Sequence, residues 1–113
     1  NAWSRRGEIT CDRAGLVCVK DLDVATKAML KLALGESLSE TVDMDEYMKQ
    51  LEDLKQGVGR FQELMSTHPY LPKRVEAMRL FAKSSYYKAL IGEKGGRPLD
   101  EIDREVEDII QVI

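Results

Sequence analysis

Glu8 and Asp12 lie four residues apart in the run Trp3-Ser-Arg-Arg-Gly-Glu-Ile-Thr-Cys-Asp-Arg-Ala-Gly-Leu16. On a helix that spacing puts both carboxylates on one face. Arg5, Arg6 and Arg13 stand beside them, so the acids are available either to arginines or to a cation. Such a pair suits one half of a site whose other half lies elsewhere. The second candidate for chemistry is His68, the sole histidine, in the run Ser66-Thr67-His68-Pro69. Taken singly, each has an ordinary structural use. A histidine before a proline is commonly a turn residue, and an Asp12–arginine pair on a surface is worth ~1 kcal/mol or less.

The elements that must position these residues are helical. Apolar spacing predicts a first helix over residues 3–19, with Cys11, Ala14 and Cys18 on one apolar face, Val17 beside it, and Leu16 seven residues from Ile9. Gly7 and Gly15 interrupt it. Each costs about 1 kcal/mol relative to alanine in an exposed helix, so close approach by a neighbouring element is their expected use. Asp21 or Asp23 caps a second helix with Val24, Ala25, Ala28, Met29 and Leu32 on its stripe, and Gly35 ends it. A third opens at Asp43 or Asp45 and carries Met44, Tyr47, Met48, Leu51 and Leu54. Pro69 and Pro72 forbid a continuous helix around His68. Pro72 then opens a fourth helix running to about Leu90 through Val75, Met78, Leu80, Phe81 and Ala82.

Residues 92–98 hold three glycines and read as a flexible loop, and residues 99–113 as a C-terminal helix with Ile102, Val106, Ile109, Ile110 and Ile113 in repeat. The expected fold class is all-α, four to five packed helices. Residues 1–2 read as an expression-tag remnant and residues 3–91 as the main helical part, so the chain reads as an excised piece of a longer protein.

In combination these residues resemble the M48 family of zinc metallopeptidases. The resemblance rests on Glu-Ile-Thr-Cys-Asp-Arg-Ala-Gly-Leu at residues 8–16, then Ser-Thr-His-Pro at 66–69 and Arg74. It covers roughly residues 3–81 and is most specific at 3–16. It implies that Glu8 is the third zinc ligand and that Asp12 supports a zinc-bound histidine through that histidine's other ring nitrogen. It also makes His68 a further candidate ligand and sets Arg74 beside the cleft, with Arg13 and Arg5 free to orient the carboxylates. Cys11 departs from the alanine more usual there. The implied fold is part of a zincin-type metallopeptidase domain, and the implied reaction is hydrolysis of peptide bonds in polypeptides.

The chemistry of that ligand set is consistent. A hydrolytic zinc takes three protein ligands and keeps one position for water or substrate. A carboxylate ligand leaves the metal cationic enough to acidify its water. Histidine ligands need a partner on their other nitrogen, which an acid one turn away can supply. One departure dominates: the chain has no His-Glu-x-x-His, whose glutamate would be the general base. No catalytic residue is therefore expected within these residues. The zinc belongs to the longer protein, and this piece is expected to be inactive and to hold zinc weakly or not at all.

Bulk properties set the remaining limits. The 113 residues are 43% hydrophobic and 33% charged with net charge −3, which gives no electrostatic footprint for nucleic acid. No apolar run approaches a membrane span. Cys11 and Cys18, about 10 Å apart along a helix, are too distant to bridge and read as reduced core thiols. Reduced thiols favour the cytoplasm, and the resemblance adds a membrane-associated, cytoplasm-facing alternative. Partners are a polypeptide substrate in the longer protein and a homodimer of the piece through exposed apolar surface around Trp3, Ile9 and Leu16. The competing reading is a non-catalytic helical interaction or scaffold domain, with Glu8 and Asp12 in salt bridges and the isoleucine-rich stripe binding a partner helix.

Overall fold

The computed structural model describes residues 2–34 and 71–111. Among the described residues the chain is all-α, with one isolated bridge and no strand. We label the helices α1 (Ala2–Val19), α2 (Leu22–Leu34), α3 (Leu71–Ala82), α4 (Ser85–Leu90) and α5 (Leu99–Gln111). The helix expected from Asp43 or Asp45, Gly35 and the segment around His68 lie outside the described residues.

The chain divides into two units, Asn1–Thr26 with Lys73–Ile113, and Lys27–Pro72. In the second unit Met29, Leu30, Leu71 and Pro72 are buried and Leu32 is exposed. The first unit contains α1, α4, α5 and most of α3. Its core joins Ile9 and Leu16 of α1, Val75, Met78, Leu80 and Phe81 of α3, Tyr87 of α4, and Ile102, Val106 and Ile110 of α5. The α5 residues recur every four positions, which gives the helix a continuous apolar ridge. Asp100 and Glu101 stand in its first turn, where the helix dipole favours acids.

Turns are closed by short polar side chains. Lys20 adopts φ +59°, the left-handed position that ends a helix, and its N–H donates to the Leu16 carbonyl at 2.7 Å. Asp21 then caps α2 by accepting from the Val24 N–H at 3.2 Å. The α2 stripe is rotated from expectation. Ala25, Thr26, Met29 and Leu30 are buried, whereas Val24 and Leu32 are exposed.

The helix expected from Pro72 to Leu90 is broken at Ser84. That residue is extended (φ −72°, ψ 147°), and its buried hydroxyl donates to the Phe81 carbonyl at 2.6 Å while accepting from the Tyr87 N–H at 3.1 Å. One serine thus closes α3 and caps α4.

The 92–98 loop is tied at its far end. Arg97 donates its N–H to the Lys83 carbonyl (2.9 Å) and accepts from the Ser85 N–H (2.8 Å). Gly96, at φ +98°, passes so close beneath that a Cβ there would lie 2.7 Å from the Ser85 nitrogen. At this position glycine serves close approach and conformation. Arg97 also pairs with Glu101 (2.5 Å) and Glu105 (2.7 Å), and its bond to Glu105 holds that carboxyl below its ordinary range.

Candidate functional site

The helix bearing Glu8 and Asp12 is pinned by its neighbours within the first unit. Asp12 is largely buried, its side chain 10% exposed, and is gripped by the Arg74 guanidinium of α3. Arg74 Nε donates to Oδ2 at 2.9 Å and Nη2 to Oδ1 at 2.8 Å. This is the two-pronged geometry in which arginine binds a carboxylate most strongly. A carboxylate has about four acceptor positions. Arg74 occupies one on each oxygen, so Asp12 retains capacity for a further donor.

Arg13 turns to the other side. Its Nη1 donates to Asp103 of α5 at 2.7 Å, and its guanidinium carbon stands 4.8 Å from the centre of the Phe81 ring. Arg6, two turns earlier, pairs with Glu107 of α5, its Nε lying 3.0 Å from Oε1. The sequence offered Arg74 and Arg13 as residues at the cleft or orienting the acids, with Arg5 and Arg13 either orienting them or merely solvated. The residue that orients Asp12 is Arg74, whereas Arg13 serves α5. Arg5 stands near Lys73, whose ammonium is pushed below its ordinary range by burial and by that like charge.

Glu8 is exposed and, among the described residues, makes no hydrogen bond or ion pair. It sits at the border between the packed face of α1 and an open face formed by Gly7, Cys11, Ala14, Gly15 and Cys18. Two expectations fail on this helix. Cys11 and Cys18 are free but exposed, not core thiols, so the apolar face drawn through them is the open one. Ile9 and Leu16 are buried rather than part of an exposed apolar surface, while Trp3 is 81% exposed. Gly7 and Gly15 have nothing among the described residues within 4 Å of where a Cβ would stand.

The reason is a competition between ridges. Ile9 and Leu16, seven apart, present larger apolar bodies than thiols and alanine, and burial follows apolar area. No group of three acids, cysteines or histidines able to hold a metal occurs among the described residues. None of their helices is long and apolar enough to cross a membrane. His68 lies outside the described residues, so its distance from Glu8 does not enter the geometry.

Comparison with known proteins bears on this arrangement. Residues 1–82 match Peptidase family M48. The chain is also similar to the plastoglobule-localized metallopeptidase 48, chloroplastic, of Arabidopsis thaliana, at 26% identity over 98 residues. That alignment covers 79% of this chain and 28% of the relative, so the chain spans less than a third of that protein's length. No solved structure matches it. The matched residues include Glu8, Asp12 and Arg74, whereas α4 and α5 lie beyond them. A family match over residues 1–82, well over half of the chain, establishes that it belongs to peptidase family M48.

Proposed function

We propose that this chain supplies one zinc ligand, Glu8, and its supporting acid, Asp12, to a metallopeptidase that hydrolyses peptide bonds in polypeptides. The observation that carries the reading is the unequal use of two acids one helical turn apart. Asp12 is clamped by Arg74, whereas Glu8 is left exposed beside a face of small residues. An acid kept out of ion pairs, on a helix fixed by its neighbours, is prepared to bind a cation brought to it.

The fit to zinc is partial. The described residues offer one ligand of the three that a hydrolytic zinc requires. In this reading the general base and the histidine ligands come from an upstream His-Glu-x-x-His, with His68 a further candidate ligand. What these residues do is hold and orient. Asp12 keeps acceptor capacity for a histidine N–H, Arg74 fixes that carboxylate's direction, and the small side chains of the open face leave room for a helix to seat against Glu8.

Two measurements test this. Equilibrium dialysis of the 113-residue chain should give far less than one zinc per chain at micromolar metal, and stoichiometric binding there would overturn the reading of a divided site. In the longer protein, Glu8→Ala should abolish peptidase activity and release zinc. Activity and zinc content that survive the change would remove Glu8 from the metal.

A further inference from the structure

The ion pairs flanking the packed face of α1 run with opposite polarity, although Arg5, beside Lys73 of α3, shares the Asp12 flank. On one flank Asp12 faces Arg74 of α3, and on the other Arg6 and Arg13 face Glu107 and Asp103 of α5. Between the flanks runs a narrow apolar ridge, Ile9 and Leu16, fully or almost fully buried. Apolar burial is not directional. The ridge sets the depth of α1 and the broad direction of its packed face, and leaves the finer rotation of α1 about its axis to the pairs on its flanks.

We propose that Asp103 and Glu107 are positioning residues: together with Arg74 they set the roll of α1 and thereby the direction in which Glu8 projects. A roll by one residue position, about 100°, would carry Asp12 toward the α5 acids and away from Arg74. Like charges would then oppose one another and a largely buried carboxylate would lose its donor, so the opposite signs on the two flanks act against the wrong orientation as well as for the right one. Asp103 and Glu107 are 50% and 33% exposed. Pairs that open are individually weak, so they bias the roll in addition to the buried ridge and do not act alone.

The functional consequence rests on reading Glu8 as a metal ligand, but the roll itself does not. It also gives α5, which lies beyond the family match, a part in placing a residue within that match.

The test uses the full 113-residue chain. Nitroxide labels are placed at Cys11, with Cys18→Ser, and at Asp108→Cys on α5, since all three positions are exposed. Pulsed EPR should read one narrow distance in the otherwise unaltered chain. Asp103→Arg with Glu107→Arg should shift or broaden it by several ångströms while helical content holds, and adding Arg6→Glu and Arg13→Glu should restore it. If the reversed variant fails to fold, Asp103→Asn with Glu107→Gln is read instead, and broadening is again expected. A distribution identical to that of the unaltered chain, in the reversed variant or in its neutral substitute, would overturn the proposal. Failure to restore by the swap would overturn it as well. Zinc is absent from this measurement. Retained zinc in the Glu8→Ala longer protein would therefore sink the metal reading and leave the roll control standing.

Discussion

On one side of α1 the side chains are committed: Ile9 and Leu16 to the core, Asp12 to Arg74, Arg6 and Arg13 to the acids of α5. On the other side the residues are small or unengaged, with Gly7, Cys11, Ala14, Gly15 and Cys18 in sequence and Glu8 on the border. The two sides are built for different tasks. The committed side makes the helix part of the first unit. The open side contributes little to holding these residues together, yet it borders Glu8, an exposed acid within the family match. Stability and site have been assigned to opposite faces of one element.

The contrast can be broken by substitution. Leu16→Ala should be the most damaging change, destabilising the chain by about 2–5 kcal/mol through lost burial and the cavity left behind, as read by urea denaturation. Arg74→Ala comes next. It leaves Asp12 largely buried without its two-pronged donor and should cost about 2–3 kcal/mol. A loss under half a kilocalorie in that experiment would mean that water or another donor replaces the guanidinium.

The open side should respond with the opposite sign. Gly15→Ala should stabilise the 113-residue chain by about 0.5–1 kcal/mol, because helix propensity rises and no neighbour among the described residues meets the new methyl. The same change in the longer protein sharpens the comparison. If another helix seats on this face there, the methyl should lower activity, whereas an unchanged rate would leave the face unoccupied in both.

Much of the helical layout was legible from periodicity. The first helix, an aspartate cap at Asp21 or Asp23 and the α5 stripe of Ile102, Val106 and Ile110 all come from spacing and end signals, and the structure selects Asp21. The break at Ser84 did not, because Phe81 and Tyr87 continue a plausible helical pattern across it. The signal was present in the Ser84-Ser85 step, where a hydroxyl can cap a new helix. The left-handed turn at Lys20 carries no glycine or asparagine to announce it. The faces of α1 were exchanged because Cys11 and Cys18 count as apolar by type, although their small area loses to Ile9 and Leu16.

The candidate site divides in the same way. Spacing placed Glu8 and Asp12 on one face because four residues of helix dictate it. The Asp12–Arg74 bond crosses 62 positions, and no local pattern encodes which arginine among several wins. Packing decides that, since α3 brings Arg74 against α1 while Arg13 is drawn across to Asp103 and the Phe81 ring.

The two thiols give the open side its own gauge. Cys11 and Cys18 are both exposed on it, so their rates of alkylation by a small electrophile report directly on coverage. Fast modification of both would mark a bare helix. Slowed modification in a larger assembly would register an occupant without any need to know its identity.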